Sequence, residues 1–194
     1  MATANIVGDT SDNKLAKYSA SSWAACLSST PIPGTVTSGS DTAPARNGVT
    51  AWALVRSFLR FDLSPYAEAT ITAATLNIFA MGYLTSALKV YYSDWGPTVA
   101  AADWVAGTLA SSEVQPSTSS MQWCNIALSS PQGILTANGG VFLALSDETT
   151  DPSGADNYCA MNFADNASNK PNLDITYTIE FAGLSVYRNL SGTG

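Results

Sequence analysis

Apolar and polar residues alternate with a period of two along the segment 55–80, and this pattern restricts the fold more than any other feature of the chain. A period of two is that of a β-strand with one buried face. The predicted inward face of the first strand carries Val55, Ser57, Leu59, Phe61 and Leu63, and the predicted outward face carries Arg56, Phe58, Arg60 and Asp62. We expect the outward face to be exposed to solvent, with Arg60 and Asp62 neutralising each other. We do not expect it to be a charged catalytic or ligand-binding face.

A short turn over 64–70 leads into a second strand, in which the apolar spacing is irregular. Its apolar residues fall on one face only if a β-bulge lies near Thr72 or Ala73, since a bulge adds one residue to one strand. With that bulge, the inward residues are Ile71, Ala74, Leu76 and Ile78. The segment therefore predicts an antiparallel strand pair.

The same period recurs in short segments between turn residues, at 4–9, 15–20, 35–37, 87–95, 121–129, 140–148, 157–165 and 171–181. The segment 140–148 is the most apolar and is expected to be central, with both faces buried. A short helix is predicted over 98–111, and a helical turn ending at Gly139 and Gly140 within 129–140. The fold class is all-β, an antiparallel jelly-roll-like β-sandwich with one short helix.

The charge of the chain argues against several functions. Its 194 residues include only 8 Lys and Arg against 15 Asp and Glu, for a net charge of −7. No basic patch is present to neutralise phosphates, so nucleic acid is not an expected partner. The absence of histidine removes the commonest general base and metal ligand, and a pairing of Asp94 with Asp103 is the remaining arrangement for glycoside hydrolysis. We expect no enzyme activity.

Cys26, Cys124 and Cys159 are odd in number and far apart, so they are expected to be unpaired, buried thiols.

The opening residues 1–12 lack a signal peptide, and no segment approaches the roughly 20 apolar residues of a membrane span. These features predict synthesis in a host cytoplasm and no membrane partner.

One loop is a candidate metal site. Its four carboxylates, whose oxygens suit calcium, are Asp147, Glu148, Asp151 and Asp156. The alternative is an acidic surface loop, since the glycine of an EF-hand is absent. Calcium is the only cofactor that the sequence suggests.

A carbohydrate-binding platform is possible at one or more of five tryptophans: Trp23, Trp52, Trp95, Trp104 and Trp123. Trp95 and Trp104 are the better candidates, because the connecting segment around them contains Asp, Gly and Pro, which favours exposure. The alternative is burial between the sheets.

The sandwich is expected to be complete by residue 180, which leaves 181–194 as an apolar tail. The tail is predicted to dock copies of the chain to one another or to a particle through Phe181, Leu184, Val186, Tyr187 and Leu190. A closed homo-oligomer is expected, a trimer first.

The segments "RSFLRFDLSPYAEATITAATLNIFA" at 56–80 and "KPNLDITYT" at 170–178 resemble the signature strands of the DNRLRE-type β-sandwich domains, which are carbohydrate-binding-module-like. "DNKLAK" at 12–17 is similar to the motif in that name. The opening 25 residues resemble phage and prophage virion proteins that consist of this one domain. The resemblance covers residues 4–179.

The resemblance implies a non-enzymatic phage virion protein, either a capsid decoration protein or a head or tail fibre component. Its expected location is the virion, and its expected partners are other copies and the major capsid protein. The alternative is a carbohydrate-binding adhesion module that binds a host surface glycan through exposed tryptophans.

Overall fold

A computed structural model describes residues 1–34, 40–47, 52–83, 87–96, 98–104, 107–152 and 157–180. The strand expected at 35–37 and the tail 181–194 lie outside these residues. The strands are β1 (Ala2–Val7), β2 (Asn13–Ser19), β3 (Ile32–Gly34), β4 (Ser40–Asn47), β5 (Trp52–Arg60), β6 (Ala69–Tyr83), β7 (Leu88–Tyr92), β8 (Thr108–Leu109), β9 (Gln122–Ala127), β10 (Gly140–Leu145), β11 (Asn157–Asn162) and β12 (Asn172–Ile179). The helices are α1 (Trp23–Ser28) and α2 (Gly133–Thr136), with 3₁₀ turns at Ser64–Tyr66 and Ala101–Trp104.

The strands form two packed antiparallel sheets. The first sheet has the order β1-β12-β6-β9, and the second has the order β3-β2-β5-β10-β7-β8. β11 extends the first sheet along β6, and it also pairs with β4, which pairs with β5. Hydrogen bonding therefore continues from one sheet into the other, and the predicted all-β antiparallel sandwich is confirmed.

The β-bulge predicted in the second strand of the 55–80 pair is present. Thr176 of β12 lies opposite Ala73, and the next residue, Tyr177, lies opposite Ile71, so Thr72 is the extra residue. The Thr72 hydroxyl donates to the Thr176 carbonyl at 3.2 Å. The bulge brings the expected inward residues onto one face, and all four are buried: Ile71, Ala74, Leu76 and Ile78.

The main core fills the space between the sheets. It includes Leu59 and Phe61 of the β5 region, Leu76 of β6 and Leu173 of β12. β10 lies between β5 and β7, and all six of its residues are buried. The prediction of a central strand that is buried on both faces is confirmed.

The helical segments differ from expectation. Of the helix predicted over 98–111, the described residues 98–104 and 107–111 contain the 3₁₀ turn Ala101–Trp104 and no further helix. Asp103 closes this turn, since its Oδ2 accepts from the Ala100 amide at 2.7 Å. The helix α1 was not predicted, and it begins where the Ser22 hydroxyl accepts from the Ala25 amide at 3.2 Å.

The turn α2 lies in the predicted segment 129–140 and ends at its glycines. Asn138 and Gly139 have φ values of 48° and 76°, in the left-handed region that ends helices. A Cβ atom on Gly139 would lie 1.9 Å from the Phe61 carbonyl oxygen, so only glycine fits there.

The prediction that the outward face of β5 is exposed to solvent is wrong. Phe58 is 0% exposed and lies in a second core of six residues: Leu15, Phe58, Trp95, Val99, Phe142 and Ala144. A third cluster joins Trp23 and Cys26 of α1 to Leu54 of β5. The segment after β7 and the helix α1 therefore cover the outer face of the second sheet.

Candidate functional site: the outer face of the first sheet

Arg56 holds the covering layer of the second sheet in place. Its guanidinium donates from Nε to Glu148 Oε1 at 3.0 Å and from Nη2 to Oε2 at 2.5 Å. It also donates from Nη1 to the Trp104 carbonyl at 2.6 Å and lies 4.5 Å from the Trp104 ring centroid. The planar guanidinium of Arg56 thus contacts a carboxylate, a carbonyl and an aromatic ring at the same time, so its role is structural.

Arg60 makes a similar contact nearer the end of the sandwich. Its guanidinium carbon lies 4.3 Å from the Trp95 ring centroid, and its Nη2 lies 3.8 Å from Asp94 Oδ1. Arg60 thus pairs with Asp94, and the predicted pairing with Asp62 is wrong. Asp62 is exposed, and hydrogen bonds from the side chain and the amide of Ser64 lower the pKa of its carboxyl.

The expected exposure of the two candidate platform tryptophans is not what the structure shows. Trp95 is 2% exposed and packs edge-on against Phe58, with ring centroids 6.2 Å apart, so the expectation is wrong for this residue. Trp104 is half-buried, and Lys17 and Arg56 lie over its ring. Both rings pack in the layer that covers the outer face of the second sheet, and not between the two sheets as the alternative expected.

Carboxylates of the acidic loop after β10 are also engaged in hydrogen bonds and an ion pair within the protein. Asp147 Oδ1 accepts from the Thr149 amide, the Thr149 hydroxyl and the Thr150 amide at 3.0, 3.1 and 3.1 Å. Glu148 is bound by Arg56. No three acidic or thiol side chains of the described residues are grouped to hold a metal ion. Asp156 lies outside those residues, so the calcium site of Asp147, Glu148, Asp151 and Asp156 stays a prediction.

Asp94 and Asp103, the candidate carboxylate pair, have separate structural partners. Asp94 Oδ2 accepts from Asn138 Nδ2 at 2.6 Å, and Asp103 closes the 3₁₀ turn.

The three cysteines are unpaired, as predicted. Cys26 and Cys159 are buried, whereas Cys124 is half-buried. Burial raises the pKa of each thiol, and it raises that of Cys159 to about 12, with a smaller contribution from the neighbouring Cys124.

Asp12 is a buried carboxyl that the sequence analysis did not single out. Its Oδ2 accepts from the Ala164 amide, and its Oδ1 has no hydrogen-bond partner among the described residues. Burial raises the pKa of Asp12 to about 6, and the charges of Asp165 and Asp9 add to that rise.

The outer face of the first sheet carries an aromatic pair in which one ring is exposed and the other is half-buried. Trp123 of β9 is 45% exposed and lies edge-to-face with Phe79 of β6, with ring centroids 5.5 Å apart. Among the described residues, β9 pairs only with β6. Within the described part of the chain, β9 is therefore an edge strand, and Trp123 lies on it.

A network of amide and carboxylate groups adjoins this pair. Asn77 Nδ2 donates to Asn172 Oδ1 at 2.7 Å and to Asp174 Oδ2 at 2.8 Å. Asn5 Nδ2 donates to the same two side chains at 2.8 and 2.7 Å. Cross-strand pairing sets Asn125 of β9 beside Asn77, so polar side chains cross all four strands.

The network fixes the orientation of its groups. Asn77 is 6% exposed, and its Oδ1 has no hydrogen-bond partner among the described residues. Asp174 carries the only charge among the described outward side chains of β1, β12, β6 and β9. The face thus combines an exposed ring, fixed neutral hydrogen-bonding groups and little charge, which suits either a protein surface or a sugar.

Sequence reasoning ranked Trp123 below Trp95 and Trp104 and did not name Asn77, although a signal was present. In β9 the alternation places Trp123, Asn125 and Ala127 on one side and Ile126 on the other. The alternation alone does not show that the outward side of β9 is exposed, whereas the outward side of β5 is covered by another segment of the chain.

Comparison with known proteins gives no match, either to a family or to a curated protein. Among the described residues, no helix has the length and apolarity needed to cross a membrane.

Proposed function

We propose that the chain is a non-enzymatic structural protein of a phage particle, either a capsid decoration protein or a head or tail fibre component. The observation that carries this proposal is the outer face of the first sheet, where Trp123 is exposed on the edge strand β9 beside the half-buried Phe79 of β6. Asp174 is the one charge among the described outward side chains of this face. Protein interfaces are enriched in aromatic residues and depleted of charge at their centres. A free strand edge also offers backbone groups to a partner.

The resemblance of the opening 25 residues to phage and prophage virion proteins favours a particle over other assemblies. In this proposal the chain resides in the virion as a homo-oligomer, a trimer first. It contacts the major capsid protein through the first sheet, and the tail 181–194 joins the copies. It binds neither nucleic acid nor a membrane.

A second candidate function is adhesion to a host surface glycan through the same face. Trp123 takes the place of Trp95 and Trp104 as the stacking ring, because it is the tryptophan with an open face beside hydrogen-bonding side chains. Asn125 and the network around Asn77 supply groups for sugar hydroxyls.

One substitution tests both functions. The Trp123→Ala protein is mixed with virions prepared without this chain, and bound protein is measured by co-sedimentation. We expect at least a roughly tenfold loss of attachment, as for an aromatic anchor at an interface. The matched control is Tyr18→Ala, since Tyr18 is an exposed aromatic residue of the second sheet.

Attachment that is unchanged by Trp123→Ala contradicts docking through this face. Binding of the wild-type protein to neutral oligosaccharides on an array, lost in Trp123→Ala, supports the adhesion function.

A further inference from the structure

An apolar groove lies at one end of the sandwich, between the end of β7, the start of β6 and the turn α2. We call it the end groove; its volume is about 430 Å³. Ile71, Tyr92, Pro131 and Ala137 supply its apolar surface, and Asp94 is the one charged residue in its lining. A groove of this size and character accepts a few apolar side chains.

The end groove is preformed. The Tyr92 hydroxyl donates to the Ser129 carbonyl at 2.9 Å, which fixes the ring. Gln132 accepts from the Ile71 amide at 2.8 Å and donates to the Ala69 carbonyl at 3.4 Å, which ties α2 to β6. A Cβ atom on Gly133 would lie 2.7 Å from the Tyr92 ring, so the turn packs as closely as a glycine permits.

The chain leaves the sandwich close to this groove. Ile179, at the end of β12, pairs with Ala69, the residue whose carbonyl Gln132 contacts. The 14 residues that follow Glu180 therefore start near the rim of the end groove.

The tail complements the end groove in chemistry. Its residues are mostly apolar or small, and its one charged side chain is Arg188. The end groove is apolar with one carboxylate, Asp94. Burying the apolar side chains of the tail stabilises the docked state, which offsets the cost of ordering the chain.

Among the described residues, apolar side chains close to the start of the tail are exposed. Met1 is 96% exposed and Ile179 is 42% exposed, and they line a depression with Tyr177. A second copy that approaches this end of the sandwich would bury these residues, whereas a tail folded back into its own groove would leave them in water.

We propose that the end groove is the receptor for the C-terminal tail of a second copy of this chain. Leu184, Val186 and Tyr187 enter the groove, and Arg188 lies near Asp94. This inference rests on the proposed homo-oligomer, and it names the site that joins the copies. Each tail fills the groove of the next copy, so the contact is heterologous and closes into a ring, as a trimer requires.

The test uses the full-length chain and two substitutions. Thr136→Trp fills the end groove from its exposed rim, and Leu184→Asp places a charge in the tail. We expect each to raise the dissociation constant of the oligomer at least roughly tenfold in sedimentation velocity. Thr136→Ser and Ser191→Asp are the matched controls and are expected to leave it unchanged.

A cysteine pair identifies the copy that supplies the tail. In a Cys124→Ser background, Thr136→Cys and Ser185→Cys are expected to form a disulfide between chains on mild oxidation. A disulfide within one chain, which places the tail in its own groove, overturns the inference.

Two further results overturn the inference and differ in their meaning for the proposed function. An oligomer that persists unchanged in Thr136→Trp and Leu184→Asp overturns the receptor site alone. A wild-type chain that is monomeric at all concentrations contradicts the proposed homo-oligomer as well.

Discussion

The outer faces of the two sheets differ: one is covered by another part of the chain, and the other is exposed at Trp123. The outer face of the second sheet carries Arg56 and Arg60 and is covered by a layer that contains Trp95 and Trp104. The outer face of the first sheet carries neutral amides and is uncovered at Trp123. Charge in a strand is therefore a poor guide to function here, because the arginines bind the protein's own covering layer.

The largest expected effect is at Trp95, the centre of the covering layer. Trp95→Ala should lower the free energy of unfolding by about 3–5 kcal/mol, the usual cost of removing a large buried ring. Denaturant unfolding followed by circular dichroism measures this loss. Trp95→Phe should lose less, since the Trp95 Nε1 has no hydrogen-bond partner among the described residues. A loss below about 1 kcal/mol for Trp95→Ala would show that the layer is not a core.

Arg56 tests whether the charge on the covered face is structural. Arg56→Ala removes the partner of the half-buried Glu148 and should cost about 2–3 kcal/mol in the same unfolding measurement. Arg56→Lys keeps the charge but not the two-pronged contact, so it should recover only part of the loss. Full recovery by lysine would mean that charge alone matters at this position.

Asp12 lies in neither face and tests how the fold tolerates a buried carboxyl. Its pKa is about 6 in the folded chain against 3.8 for an ordinary Asp, so its contribution to stability is fully present below pH 3.8 and is lost as the pH rises through 6. Asp12→Asn keeps an oxygen for the Ala164 amide and removes the charge. We expect it to be more stable than wild type by about 1–3 kcal/mol at pH 8 and to match it near pH 4.

A difference between the two proteins that is independent of pH would contradict the raised pKa of Asp12. The measurement is denaturant unfolding at several pH values between 4 and 8.

The thiols distinguish the interior of the sandwich from its edge. Cys26 and Cys159 are buried, whereas Cys124 lies half-buried on the edge strand β9. A thiol reagent followed by mass spectrometry should label Cys124 first in the native protein, and label the other two only after unfolding. Equal labelling of all three in the native state would contradict the described packing around β11 and α1.

The smallest expected change in stability is at Trp123. Trp123→Ala should lower the free energy of unfolding by no more than about 1 kcal/mol, the worth of an aromatic pair with one exposed ring. A loss comparable to that of Trp95→Ala would place Trp123 in the core and remove it from any binding face.

The strand pattern was predictable because it depends on local alternation. The bulge at Thr72 followed from the spacing of the apolar residues after Ile71, since no other arrangement buries them on one face. The covering of β5 was not predictable, because it depends on a distant segment that folds back over Phe58. The same limit explains the wrong choice of tryptophan: the loop composition around Trp95 favoured exposure, but Arg60 and Phe58 bury its ring.

We propose that the outer face of the first sheet is the binding face and that the outer face of the second sheet is structural. Hydroxyl-radical footprinting of the full-length protein, free and bound to virions prepared without it, tests this claim at the level of single rings. We expect Trp123 to be oxidised in the free protein and protected on binding, while the oxidation of Trp104 stays unchanged. Protection of Trp104 with Trp123 still oxidised would contradict it.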